Sequence, residues 1–183
     1  MPTILEFPHN IVATIDYDTD APNPRKEWDN VGTLALFHRR YNWDESNLTI
    51  EEVQELTQNP KYLHLPVYMY EHSGIVLRTA PFSCSWDSGQ LGIIFTSIEN
   101  AKHHWGERPH EDYLKYLEGE IETFSQYLEG EVYRFDITQD GKHLESCGGY
   151  FGDEDLAISE ATAQATQIAA RITNELELAY NGM

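Results

Sequence analysis

Glu111-Asp112-Tyr113-Leu114-Lys115-Tyr116-Leu117-Glu118-Gly119-Glu120-Ile121-Glu122-Thr123-Phe124-Ser125-Gln126-Tyr127-Leu128-Glu129-Gly130, running on into Glu131-Val132-Tyr133-Arg134-Phe135-Asp136-Ile137-Thr138-Gln139-Asp140-Gly141-Lys142-His143-Leu144-Glu145-Ser146-Cys147, decides the fold class. Its first half has helical period. Leu114, Leu117, Ile121, Phe124 and Leu128 recur at steps of three and four and make one apolar stripe. Glu111, Lys115, Glu118, Glu122, Ser125 and Glu129 form the opposite face. Gly119 weakens the middle by about 1 kcal/mol relative to alanine, and Gly130 closes the helix. The second half is a hairpin. Asp140-Gly141 favours the tight turn whose twist matches two antiparallel strands.

Working outward, Asp153-Glu154-Asp155 opens a last helix, where acidic groups suit the positive end of the dipole. Its stripe is narrow and small: Ala161, Ala165, Ile168, Ile172, Leu176 and Ala179, with Asn181-Gly182 at the end. Upstream, Leu91 to Thr96 reads as a buried strand, and Ser97 caps a short helix up to Trp105-Gly106. Leu63 to Tyr70 and Gly74 to Thr79 read as two strands around the turn His72-Ser73-Gly74. Thr49-Ile50-Glu51-Glu52 is a capping box, which predicts a helix from about 50 to 58 with Pro60 as its stop. Leu34 to Phe37 fits a strand or a helical turn equally. Ile11 to Ile15 is a β-branched strand, and Asp18 to Asn30 is rich in turn formers. The order shows no regular β-α-β alternation. It predicts an α+β chain, residues 1–183 as one domain, with a mixed or mostly antiparallel sheet and helices packed on one face. Residues 153–180 are the part least typical of that layout.

Charge narrows the function classes. The chain has 183 residues, 12 Lys+Arg against 31 Asp+Glu, and a formal net charge of -19. Nucleic acid and anionic membrane would both repel such a protein, so direct binding to either is not expected. The aromatic fraction of 12% argues against disorder despite a mean hydropathy of -0.53. No run approaches the ~20 apolar residues of a membrane span. The first residues, Met1-Pro2-Thr3-Ile4-Leu5-Glu6, lack the basic and apolar regions of a secretion signal, so a cytoplasmic location is expected. Two cysteines, Cys84 and Cys147, exclude a disulfide framework and a four-thiolate zinc site. P-loop, G-x-G-x-x-G, H-E-x-x-H, G-x-S-x-G and EF-hand patterns are all missing.

Three groups of residues carry candidate chemistry. The densest lies between Glu71 and Gln90, where Glu71-His72-Ser73-Gly74 and Ser83-Cys84-Ser85-Trp86-Asp87-Ser88-Gly89-Gln90 form two polar turns. If the intervening strands pair, His72, Asp87 and Ser88 supply a base, an orienting acid and a hydroxyl, with Gln90 to position a ligand. The same residues are also ordinary turn formers. The second group is the helix face of Glu111, Glu118, Glu122 and Glu129. Side chains three or four apart on a helix lie roughly 5–6 Å apart, comparable to phosphates along a nucleic-acid strand. Such a face can compete for a basic groove, or be simply solvated. The third is a metal option. Cys84, Cys147, His72 and His143 are suitable donors without short spacing. Asp153-Glu154-Asp155 with Glu145 offers hard oxygen ligands that dipole capping explains equally well. Metal and cofactor content stay open. Arg25, Arg39 and Arg40 are scarce cations. They either pair with carboxylates inside the fold or converge with His38 and Glu71 as an anion pocket.

Six stretches stand out: Pro24-Arg25-Lys26-Glu27-Trp28-Asp29-Asn30-Val31-Gly32, Phe37-His38-Arg39-Arg40-Tyr41, Leu65 to Gly74, Pro81 to Gly92, Glu122 to Tyr133 and Glu145 to Asp153. Together they resemble a family of small bacteriophage proteins with no assigned activity. The resemblance implies a phage gene product at work in a bacterial cytoplasm and carries no catalytic residue. With it, the expected function is a phage accessory protein. It would bind and modulate a host protein, such as a nucleic-acid-handling or defence protein, through an acidic, DNA-mimic-like surface. The alternatives are a small enzyme or ligand- or metal-binding protein with its site at the Glu71–Gly74 and Asp87–Gln90 turns, and a virion structural or assembly subunit that self-associates through its hairpin edge.

Overall fold

The computed structural model describes residues 1–84 and 86–181. Ser85 of the second polar turn and Gly182, the expected terminator of the last helix, lie outside the described residues. The protein is α+β, with two four-stranded antiparallel sheets. It forms two compact units: residues 1–22 together with 130–183, and residues 23–129.

In the first unit β1 (Thr3–Phe7), β2 (Ile11–Tyr17), β7 (Val132–Gln139) and β8 (Lys142–Phe151) pair in that order. The turn residues Asp140 and Gly141 both have positive φ, 49° and 76°, as the Asp-Gly pair predicts. His9 and Asn10, at 65° and 56°, make a second such turn and create β1, an element that Asn10 alone does not announce. One face of this sheet buries Ile11, Ala13, Ile15, Phe135 and Ile137 against α5 (Glu154–Asn181). Ala157, Ala161, Ala165 and Ala169 meet them; four alanines one turn apart let the helix lie close on the strands. Asp153 Oδ1 accepts the Leu156 N–H at 2.8 Å, so this carboxylate caps the helix.

The second unit holds β3 (Thr33–Leu36), β6 (Ser88–Ser97), β4 (Tyr62–Glu71) and β5 (Ile75–Arg78), in that spatial order. Short α1 (Pro24–Glu27) precedes it, α2 (Ile50–Thr57) lies between β3 and β4, and α3 (Ile98–Trp105) and α4 (His110–Glu129) follow. The capping box of α2 is present, with both Thr49 and Glu52 bonds formed. Tyr113, Leu117, Ile121 and Phe124 of α4 are buried against Leu34, Leu36, Val67, Leu77 and Ile94. Residues alternating with these, Ala35 and Ile93, point to the other face and pack with Val53 of α2. Ser125 departs from its expected place on the polar face of α4. It is buried because its Oγ accepts the Leu77 N–H of β5 at 2.9 Å and donates to Glu129 Oε1 at 2.8 Å. An inward-facing backbone donor needs that acceptor.

A buried charge cluster anchors the segment from Pro24 to Glu45 to α4. The Arg25 side chain is 5% exposed. It donates from Nη1 to Glu120 Oε2 at 2.7 Å, from Nη2 to Glu45 Oε2 at 2.6 Å and from Nε to Glu45 Oε1 at 2.9 Å. Glu120 also accepts the Val31 and Gly32 N–H groups at 3.0 and 3.1 Å. Burial works to lower the Arg25 guanidinium, but Glu45 and Glu120 outweigh it and hold it above its ordinary value. Of the scarce arginines, then, Arg25 is a structural ion-pair partner.

Candidate functional site

Sheet pairing brings the two polar turns together. β4 runs antiparallel to β6, with Tyr70 opposite Ser88. The Glu71 N–H donates to the Asp87 carbonyl at 3.0 Å, which locks the end of one strand to the start of the other. β3 pairs on the far side of β6 with Leu36 opposite Gly92, and the Phe37 N–H donates to Leu91 O at 2.9 Å. Three stretches distant in sequence thereby meet at one end of the sheet: 37–41, 69–72 and 86–91. Between them lies an open groove of about 460 Å³. Glu71, Asp87 and Gln90 line it with Phe37, His38 and Trp86; Met69 and Leu91, 8% and 7% exposed, form its apolar floor.

One wall rests on an aromatic ladder that starts in the core. Trp43 meets Phe124 edge-on at 5.8 Å, Tyr41 stacks on Trp43 at 4.6 Å, and His38 stacks on Tyr41 at 4.9 Å. His38 Nδ1 accepts the N–H groups of Arg40 and Tyr41, at 3.2 and 3.3 Å. In the neutral ring the proton therefore sits on Nε2. The Tyr41 hydroxyl donates to Glu71 Oε1 at 2.9 Å, and the Arg40 guanidinium bonds Glu71 Oε2. The hydrogen bond to Glu71, with burial second, holds the Tyr41 phenol above its ordinary value, so it remains a donor. Glu71 is thus held from two sides and its charge is matched.

His72 and Asp87 stand at the rim, with Nδ1 to Oδ2 at 3.6 Å. That distance is slightly long for a hydrogen bond, and it becomes an ion pair only when the imidazole is protonated. Both are open to solvent: the side chains are 69% and 44% exposed. Ser88 adjoins Asp87 in the chain, but its hydroxyl donates to the Cys84 carbonyl. In this arrangement His72 and Asp87 meet each other, whereas the Ser88 oxygen is aimed into its own turn. Gln90 Nε2 donates to Gly92 O at 3.3 Å, leaving Oε1 as an acceptor on the groove wall. What the site can do chemically is bind a polar molecule through matched carboxylates, an imidazole N–H and an amide, with His72 available to take up a proton.

The acidic candidates lie elsewhere in the same unit. Glu111, Glu118, Glu122 and Glu129 are all exposed on α4. At 100° per residue they fall within an arc of about 40° and extend over about 27 Å. Glu118 accepts the Thr79 hydroxyl at 2.8 Å, and Glu129 accepts that of Ser125. Cys84 and Cys147 are free and exposed. Among the described residues, no three His, Cys, Asp or Glu side chains come together to hold a metal ion, and no helix is long and apolar enough to cross a membrane. Arg40, unlike Arg25, does converge with His38 and Glu71. Phe37 and Trp86, which line the groove, and Tyr41, which holds Glu71 from behind, have no role in the sequence reading. The available signal was the density of functional side chains in Phe37-His38-Arg39-Arg40-Tyr41 directly after a short strand. Compared with known proteins, the chain matches no family model, no curated protein and no solved structure.

Proposed function

We propose that the protein works by binding a small polar molecule in the groove at the end of the β3-β6-β4-β5 sheet. The observation that carries this reading is the convergence of three separate stretches on one concavity, with Glu71 pre-positioned by Arg40 and Tyr41 and His72 set against Asp87. Groups held in place by a supporting layer before a ligand arrives are the usual mark of a binding site. Asp87 stands beside His72 at the rim, with Nδ1 to Oδ2 at 3.6 Å. If chemistry follows binding, His72 is the group to accept a proton, and the Ser88 hydroxyl would first have to leave the Cys84 carbonyl. Amide and side-chain NMR against a mixed small-molecule library tests the reading. Bound molecules should shift the signals of Glu71, His72, Asp87 and Gln90 first. A set of ligands that shifts only signals outside this group would sink it.

A second reading rests on the α4 stripe. There the protein is a phage accessory factor acting in the host cytoplasm. Its acidic helix face would occupy the basic groove of a nucleic-acid-handling or defence protein and exclude nucleic acid by electrostatic competition. The exposure of all four glutamates on one arc favours it. A complex captured from bacterial lysate should dissociate steeply with salt, and charge reversal at Glu111, Glu118 and Glu122 should abolish it. A complex indifferent to both would count against this role.

A further inference from the structure

The groove carries one more step, which rests on the small-ligand reading above: its chemistry selects a class of ligand. Glu71 in it already has a permanent cationic partner. Arg40 matches Glu71, and His72 faces Asp87. The wall therefore offers hydrogen-bond acceptors on Glu71, whose charge is already matched, and on Asp87 beside an imidazole. A phosphate or carboxylate ligand would meet two carboxylates inside a chain of net charge -19, which disfavours anions. A polyamine or metal ion would find Glu71 already matched by Arg40, and among the described residues no cluster suited to a metal exists. What remains is a neutral molecule rich in hydroxyl donors.

The rest of the surface is apolar and aromatic. Trp86 is 94% exposed and Phe37 is 37% exposed, on a floor of Met69 and Leu91. Exposed aromatic rings beside an apolar floor form a contiguous patch of the kind found in ligand-binding grooves. A sugar ring has complementary chemistry. It presents C–H hydrogens on a face, which suit the electron-rich face of an indole, and hydroxyls around its edge. Adjacent hydroxyls can donate to the free lone pairs of Asp87 and Glu71, while the His38 Nε2–H donates back and Gln90 Oε1 accepts. The volume of about 460 Å³ lies in the range of small-ligand sites, and its open form suits a chain of sugars laid across the sheet end. We infer that the groove binds a neutral saccharide, with Trp86 as its stacking platform and Asp87 as its hydroxyl acceptor.

Tryptophan emission of the full chain, titrated with maltotriose, cellotriose and triacetylchitotriose, tests this. Trp86→Phe identifies which part of the signal comes from Trp86, since Trp28, Trp43 and Trp105 also emit. At least one trisaccharide should bind saturably and shift the Asp87 and Gln90 NMR signals. Trp86→Ala and Asp87→Ala, both at exposed positions, should each weaken it at least tenfold with the fold intact. Adenosine monophosphate, glutamate and putrescine serve as anionic, zwitterionic and cationic probes. If one of these shifts the groove signals and no trisaccharide does, the saccharide assignment is wrong and the binding site stands. If none of the six probes moves those signals, the saccharide assignment falls, and the library screen decides the site. Equal binding by wild type and both alanine variants also overturns the assignment.

Discussion

Replacing Arg25 by alanine is expected to destabilise the 23–129 unit by about 3–5 kcal/mol, the cost of removing one partner from a buried ion pair. The guanidinium is almost wholly enclosed and makes four hydrogen bonds, to Glu45 twice, to Glu120 and to the Gly32 carbonyl at 2.7 Å. Without it, two carboxylates stay in a partly desolvated site with no cation. Glu120 cannot simply turn to water, because it also accepts the Val31 and Gly32 N–H groups that join this segment to α4. Lysine in its place keeps the charge but loses the planar fork that reaches both acids at once, so Arg25→Lys should recover only part of the loss. Arg40→Ala is the internal contrast. That side chain is 58% exposed, and loss of an exposed pair costs at most about 1 kcal/mol. Denaturant midpoints of the three variants check the ordering. Equal losses at Arg25 and Arg40 would mean the buried cluster is not the anchor described.

Gly92→Ala is expected to cost about 3 kcal/mol or more, at the upper end of overpacking effects. A Cβ there would sit 1.9 Å from the Ala35 carbonyl oxygen and 3.2 Å from Leu36 Cα, both backbone atoms of β3. A side chain could rotate away from such a clash, whereas a paired strand cannot. Relief requires β3 to leave β6, which also uncouples Phe37 from the groove wall. The residue therefore ties stability to the site: Gly92→Ala should lose groove binding even where the protein still folds. Gly89, three residues earlier on the same strand, has nothing within 4 Å of its Cβ position. Gly89→Ala should stay within about 0.5 kcal/mol of wild type. Thermal and denaturant unfolding of the pair measures the difference. Tolerance of alanine at 92 would show that β3 and β6 approach less closely than they do here.

Local signals account for most of the elements. The Thr49–Glu52 capping box, the Ser97 cap, the Asp140-Gly141 turn and the apolar stripe of α4 all depend on residues within a few positions of each other. They can be read without knowing the fold. Elements without such punctuation were harder to read. β1 hangs on an unmarked His9-Asn10 turn, and α1 is a single turn inside a stretch read as loop. Gly32 is instructive. Its φ is not positive, so no special backbone angle demands it. It is glycine because a Cβ would lie 2.6 Å from Ile94 Cδ1 and 2.7 Å from Leu117 Cδ2. That crowding comes from residues more than sixty positions away.

By itself the sequence determined the α+β class, the antiparallel hairpin, the acidic face of α4 and the two polar turns that hold His72 and Asp87. Helical and strand periods, caps and turn residues act over short range, and charge is a sum over composition. Only the tertiary structure decided which polar residues share a site. It placed His38, Arg40 and Tyr41 beside Glu71, sent Arg25 to a buried anchor, turned the Ser88 hydroxyl onto Cys84, and left Trp86 open above the groove. Those outcomes follow from strand order and register. They arise from packing two faces of one sheet and not from any neighbour-to-neighbour preference along the chain.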